Sequence, residues 1–214
     1  MAGVAAIVVC LCSMSSAQIP RSQLLLATGP DDQALVARIA QVGPGVNADE
    51  ARRVAETAYN TGRQLAAEWD MASSGNMQSF LINIGSRKYG YCYHFANELL
   101  LRLDALRLRT IELHWAESDP GTDTEHNVIV VTARGQPFEQ GILFDNWRRA
   151  GHLLWGPVTG DPTHYWLENK AQYYSRLQRP RHYSKIIPRP EPESSPTPKP
   201  IKQKETKKKK RPSS

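Results

Sequence analysis

A change of hydrophobic periodicity near residue 108 constrains the fold of this chain more than any other feature. Four segments before that point have the spacing of amphipathic helices: residues 31–42, 47–71, 77–84 and 91–108. Four segments after it are short and apolar or alternating, as strands are: residues 108–116, 126–133, 141–145 and 152–158. Helices first and strands afterwards predict an α+β domain with an antiparallel sheet, which we place at residues 31–180.

The clearest helix signal lies at residue 47. Asn47 is followed three residues later by Glu50, which is the arrangement of a capping pair at a helix start. Apolar residues then recur at helical intervals as far as Trp69. We therefore predict that the helix begins at Asn47.

The first 17 residues are uncharged and apolar and end in small side chains, with Ser15 and Ala17 fitting the −3 and −1 positions of a signal-peptidase site. The apolar run is shorter than the ~20 residues that a spanning helix needs. We expect a signal peptide over residues 1–17, a leader over residues 18–30, and an exported protein that is periplasmic, in the cell envelope or extracellular. Cys10 and Cys12 leave a lipoprotein open as a variant of this prediction.

Charge and proline content change abruptly after residue 180. Residues 185–214 contain 10 basic and 3 acidic residues, a net charge of +7, which leaves −1 for residues 1–184. They also hold 7 of the 15 prolines and few apolar side chains, so burial cannot offset the entropy of ordering them. We expect residues 181–214 to form a disordered tail whose lysines favour an anionic envelope polymer or lipid headgroups. Because the positive excess belongs to the tail, it indicates no nucleic-acid partner for the domain.

Export leaves Cys92 as the one cysteine of the mature chain, so no internal disulfide is expected. A lone thiol in an oxidising compartment is either buried and inert or retained for its reactivity. Cys92 lies in the first turn of the helix predicted over residues 91–108, where free backbone N–H groups and the helix dipole favour a thiolate. This position favours a nucleophile. His94, on a different face of the helix, is interpreted as a surface or packing residue.

Two further residues can complete a nucleophilic site. His126 opens a predicted strand, from which an imidazole can take the thiol proton and later protonate a leaving amine. Asp145 ends the next strand, where a carboxylate can orient that imidazole. A tight hairpin at Gly135 and Gln136 would place residue 126 opposite residue 145 on one face of the sheet, and a wider loop would slide this register. The alternatives are a strand-end histidine and a carboxylate that caps the following turn.

Three motifs stand in order around the cysteine: Gly90-x-Cys92-x-x-x-Ala96, His126-Asn127-Val128-Ile129-Val130 and Asp145-Asn146-Trp147. Together they resemble the papain-like cysteine superfamily, and within it the bacterial transglutaminase-like branch. The resemblance implies a papain-like fold in which the cysteine helix packs on the antiparallel sheet. It also implies that Cys92 is the nucleophile, His126 the base and Asp145 the orienting residue.

The function implied by this resemblance is cysteine-dependent chemistry on a peptide or protein amide. Water would resolve the thioester in a peptidase or amidase, and an amine would resolve it in transglutaminase-like acyl transfer; the sequence leaves both open. Gln78, Asn83 and Tyr91 are the candidates for completing the family's oxyanion hole. The alternative function is a non-catalytic envelope-binding or scaffold protein with the same fold. We expect no metal or cofactor, because the other histidines lack ligand spacing.

Overall fold

The computed structural model describes residues 32–185. The helices are α1 (Asp32–Ala40), α2 (Ala48–Glu68), α3 (Gly75–Asn83), α4 (Cys92–Asp104) and α5 (Lys170–Gln178). The strands are β1 (Ile111–Ser118), β2 (His126–Ala133), β3 (Ile142–Asp145), β4 (Leu154–Pro157) and β5 (Leu167–Glu168). They form one sheet in the order β4-β3-β2-β1-β5, and every neighbouring pair is antiparallel. The α+β prediction is confirmed.

Several sequence predictions concern other parts of the chain. The signal peptide, the leader and tail residues 186–214 lie outside the described residues. Across residues 32–185, no helix combines the length and the apolar character needed to cross a membrane.

The start of α2 shows how the predicted cap is built. The side-chain oxygen of Asn47 accepts hydrogen bonds from the backbone N–H groups of Asp49 and Glu50, at 2.9 and 3.0 Å. Glu50 does not complete the reciprocal half of the pair. Its carboxylate instead accepts from the backbone of Arg109 and Thr110, and the Thr110 hydroxyl accepts from the Asn47 N–H at 2.9 Å. The cap therefore fastens α2 to the residues that lead into β1.

The main core lies between the helices and one face of the sheet. Leu35 of α1, Val54 of α2 and Leu99 of α4 are at most 1% exposed and share one apolar cluster with Trp115 and Ile129 of the sheet. A smaller cluster covers the opposite face: Ala116, Val128, Val130, Phe138, Leu143, Leu154, Val158 and Trp166. Because both faces are covered, a polar side chain on a central strand needs a partner.

Two features at the ends of predicted elements differ from expectation. Helix α4 ends at Asp104, before the predicted residue 108, and Arg107 just beyond it adopts a left-handed φ of 51°. Strand β5 and helix α5 were not predicted. A two-residue strand has too few positions to show alternation, and α5 has no fully buried residue that would mark an apolar stripe.

The packed chain continues past the predicted domain end at residue 180. Residues 181–185, which we call the C-terminal strap, lie against α2 and α4. Tyr183 and Ser184 are buried, and their backbone N–H groups both donate to the carboxylate of Glu98. The Lys185 N–H donates to Glu68 at 2.7 Å. The packed part of the chain therefore extends at least as far as Lys185, because carboxylates on two helices bind the strap backbone, which composition does not reveal.

Candidate active site

Cys92 is the first residue of α4. Tyr91 precedes it as the N-cap in an extended conformation, with φ −67° and ψ 159°. The backbone N–H groups of a first helical turn have no partner within the helix, and the positive end of the helix dipole lies there. The Cys92 side chain is 8% exposed, so the thiol is largely removed from water.

The turn that leads into α4 depends on Gly90 and His94. Gly90 has a φ of 115°, and a Cβ at this position would lie only 2.7 Å from Gln78 and 2.8 Å from Met71. The Nδ1 atom of His94 accepts hydrogen bonds from the N–H groups of Gly90 and Tyr91, at 3.0 and 3.3 Å. Burial and two nearby arginines lower the pKa of His94 to about 4, so the ring is neutral at pH 7 and Nδ1 is free to accept. His94 is therefore a buried packing residue that also shapes the turn before Cys92.

His126 and Asp145 meet across the sheet, in the register of the wider loop and not in that of the tight hairpin at Gly135 and Gln136. Strands β2 and β3 pair Ile129 with Phe144 and Val130 with Leu143, so residue 145 aligns with residue 128. The 3₁₀ helix Phe138–Gln140 widens the connecting loop and displaces the register by two residues. A displacement of two residues leaves each side chain on the same face of the sheet. The two side chains meet diagonally, with 2.8 Å between His126 Nε2 and Asp145 Oδ2.

Asp145 makes the contacts of a carboxylate that orients an imidazole and also those of a carboxylate that caps a turn. Its Oδ1 atom accepts the backbone N–H groups of Trp147 and Arg148, at 2.8 and 3.1 Å, and so caps the turn after β3. Its Oδ2 atom binds His126 and the Arg148 guanidinium. Burial opposes the charged carboxylate, but His126 and Arg148 outweigh burial and hold the pKa of Asp145 well below its usual range. Asp145 is thus an anion at neutral pH.

His126 is 2% exposed and has one ring nitrogen engaged and one available. Nε2 is bound to Asp145, whereas Nδ1 has no hydrogen-bond partner among the described residues. Burial disfavours the imidazolium, but Asp145 and the nearby Cys92 sulfur outweigh burial and raise the pKa of His126 to about 9. The ring is therefore poised to hold a proton on the side of the thiol.

The Cys92 sulfur also contacts the start of β2. The thiol lies 3.7 Å from the backbone carbonyl oxygen of Glu125, and the Asn127 amide nitrogen lies 3.9 Å from the sulfur. The Asn127 side-chain oxygen accepts from the Trp115 indole at 2.9 Å, which fixes the amide. The structure thus brings Cys92, His126 and Asp145 together at the end of the sheet where β2 begins.

Sequence reasoning missed a supporting ion pair behind Asp145. Arg148 bridges Asp145 to Asp161, with 2.6 Å between its Nη2 atom and Asp161 Oδ2. The Asp161 side chain is fully buried, and the hydrogen bonds from His164 and Arg148 outweigh that burial and lower the pKa of Asp161. In the sequence, the pattern around Asp161 indicates only a turn, so its role appears once the fold brings the two loops together.

Aromatic rings enclose the imidazole. The ring centroids of Trp147, His164 and Trp166 lie 4.8, 5.1 and 5.3 Å from that of His126. Since Nε2 is bound to Asp145, Nδ1 is the ring nitrogen left to interact with Cys92. The surrounding rings limit contact between water and the His126–Asp145 pair.

A cleft of about 860 Å³ opens in front of the thiol. Helix α3 contributes Phe80 and Asn83 to its lining, and the loop before β2 contributes Glu125. Of the three candidate oxyanion donors, Asn83 and Tyr91 line the cleft. Gln78 does not, and both ends of its amide are engaged, by the Ala72 N–H at 2.9 Å and by the Tyr89 carbonyl at 2.8 Å.

No family model, curated protein or solved structure matches this chain.

Proposed function

We propose that this chain is an exported cysteine-dependent amide enzyme with a papain-like fold, of the bacterial transglutaminase-like type. One observation carries the proposal: a fully buried His126–Asp145 pair leaves Nδ1 without a partner beside a thiol at a helix start. A buried nitrogen without a hydrogen bond is costly in a merely structural histidine. The cost is explained if Nδ1 exchanges a proton with Cys92.

In the first half of the reaction, Nδ1 of His126 takes the proton of the Cys92 thiol. The thiolate attacks the amide carbonyl carbon, so that a C–S bond forms and the carbonyl oxygen becomes an oxyanion. The C–N bond then breaks, and the imidazolium gives its proton to the leaving amine. Asp145 stabilises the imidazolium throughout, and a thioester on Cys92 remains.

Two groups can stabilise the oxyanion. The backbone N–H of Cys92 lies at the start of α4, where it has no partner within the helix. The Tyr91 hydroxyl donates to the side-chain oxygen of Asn83, which leaves the Asn83 amide nitrogen as a donor that borders the cleft. We therefore assign Asn83 as the side-chain donor and Tyr91 as the residue that orients it.

In the second half, His126 removes a proton from the group that attacks the thioester. If that group is water, the product is a carboxylic acid, and the enzyme is a peptidase or amidase. If it is a primary amine, the product is a new amide, as in a transglutaminase. Both reactions use the same three residues in the same positions.

Trapping the thioester tests the proposal without knowledge of the natural substrate. The full-length protein is incubated with p-nitrophenyl acetate, and acetylation is scored at Cys92 by peptide mass. We expect rapid acetylation of Cys92 that is lost in Cys92→Ser and slowed by about a hundredfold in His126→Ala, since general-base catalysis typically contributes at least this much. His152→Ala is the matched control, because His152 is an exposed histidine that does not line the cleft.

Adding a primary amine after acetylation separates the two reactions. Transfer of the acetyl group to the amine supports acyl transfer, whereas release of acetate alone supports hydrolysis. Equal acetylation of Cys92 in the wild type and in His126→Ala would contradict the proposal and favour the non-catalytic scaffold.

A further inference from the structure

We propose that the cleft at Cys92 binds a cationic side chain, a lysine or arginine of a polypeptide substrate. The inference rests on the proposed function, because it names the substrate class of the same site. It is carried by the charges and the apolar surface that line the cleft.

One wall of the cleft is acidic. The exposed loop between β1 and β2 contributes Asp123 and Glu125 to the lining. Glu125 is held in place, since its carboxylate accepts from the Gly121 N–H at 2.8 Å and from the Asn127 amide at 3.0 Å. Asp123 is exposed, and within residues 32–185 no hydrogen bond or ion pair engages its carboxylate. Two carboxylates therefore face the space in front of the thiol.

The positive charge that borders the cleft is already neutralised. Arg148 is the one lysine or arginine among the described residues that line it. Its guanidinium is bound to two carboxylates, those of Asp145 and Asp161. The protonated His126 ring also borders the cleft, and it is bound to Asp145. Both positive groups are thus paired with carboxylates other than those of Asp123 and Glu125, and a substrate cation would supply the acidic wall with a partner.

The wall formed by α3 presents one exposed aromatic ring among the polar residues Asn76, Ser79 and Asn83. Phe80 is 54% exposed and lines the cleft together with Tyr91. A long basic side chain can lay its methylene groups along such rings while its charged end reaches a carboxylate. A small inorganic cation would gain nothing from Phe80, and an acidic substrate would face Asp123 and Glu125. Lysine and arginine fit both walls.

The first experiment measures charge selectivity at Cys92 independently of catalysis. The full-length protein reacts with two methanethiosulfonate reagents of similar size, one bearing a trimethylammonium group and one a sulfonate, and adducts are scored at Cys92 by peptide mass. The quantity compared between the wild type and Asp123→Asn is the ratio of the labelling rate of the cationic reagent to that of the anionic reagent. The charge of His126 influences this ratio equally in the two proteins, so a difference between them reports on Asp123. We expect the ratio of cationic to anionic rate to fall by about threefold in Asp123→Asn, and to fall in the wild type as salt is raised.

Glu139→Gln is the matched control, because Glu139 is an exposed acid on the 3₁₀ helix Phe138–Gln140 and does not line the cleft. Its ratio should equal that of the wild type. An unchanged ratio in Asp123→Asn, or an equal change in Glu139→Gln, would overturn the inference.

The second experiment uses peptide thioesters that differ in one position, with lysine in one peptide and glutamate in the other. We expect Cys92 to be acylated faster by the lysine peptide, and the preference to shrink in Asp123→Asn. Acylation without a preference would refute the inference and leave the proposed function intact. Charge-selective labelling without any acylation would refute the proposed function and leave a site for a cationic side chain.

Discussion

Replacing Tyr183 by alanine should destabilise the domain strongly, although this residue follows the domain end predicted from composition. Tyr183 is 9% exposed, and its ring centroid lies 4.1 Å from that of His94 and 6.0 Å from that of Tyr93. The C-terminal strap thus packs its tyrosine directly on the helix that begins at Cys92. Loss of this ring removes apolar contacts from both the strap and α4.

The expected loss of stability follows from this burial. A buried aromatic side chain removes about 150–250 Å² from water, which at about 25 cal/mol per Å² corresponds to about 4–6 kcal/mol. Alanine retains part of this area, and a site at the domain surface can close or admit water. We therefore expect Tyr183→Ala to lower the free energy of unfolding by about 3 kcal/mol, a large part of the 5–15 kcal/mol typical of a domain.

Urea unfolding of the full-length chain, followed by tryptophan fluorescence, measures this change. Tyr174→Ala is the matched control, since Tyr174 is 57% exposed on α5 and should change stability by less than about 0.5 kcal/mol. Equal unfolding midpoints for the two variants would show that the strap contributes nothing to the fold.

Three further predictions concern the tail, the turn before the thiol and the ionised pair. Removing residues 186–214 should leave the unfolding midpoint unchanged in calorimetry while abolishing salt-sensitive sedimentation with anionic vesicles. Gly90→Ala should cost about 2 kcal/mol in urea unfolding, because its φ of 115° is strained for alanine and the new Cβ meets Gln78. Because the pKa of His126 is raised from 6.5 to about 9, the protonated ring stabilises the fold, and it does so fully below pH 6.5. The difference in the free energy of unfolding between the wild type and His126→Gln should therefore shrink by about 3 kcal/mol as the pH rises through 9. A constant difference would contradict this assignment.

Local patterns predicted the elements that carry the site. Helical spacing and capping indicated α2 and the helix of Cys92, since an amphipathic stripe and a cap are properties of neighbouring residues. Alternating and β-branched runs likewise indicated β2 and β3, with His126 and Asp145 at their ends. The candidate site residues were accessible to sequence reasoning because each stands at the end of an element with a strong local signal.

Features formed by distant parts of the chain could not be predicted in the same way. The hairpin register depended on whether the chain turned at Gly135 or continued into the 3₁₀ helix Phe138–Gln140, and three residues give too little pattern to decide. The bridge from Arg148 to Asp161 joins two turns that the sequence shows only as turns. The strap residues that bind Glu98 lie 85 and 86 residues further along the chain. Composition alone assigned the strap to the tail.

The central claim, that His126 activates Cys92, is tested most directly by the pH dependence of Cys92 alkylation. Iodoacetamide reacts with the thiolate, and a free cysteine with a pKa of about 8.5 is almost entirely protonated at pH 6. In the full-length protein, with adducts scored at Cys92, we expect rapid alkylation at pH 6 that falls by about a hundredfold in His126→Ala, because the imidazolium no longer stabilises the thiolate. The same pH profile in the two proteins, rising only near pH 8.5 as for a free cysteine, would contradict the account.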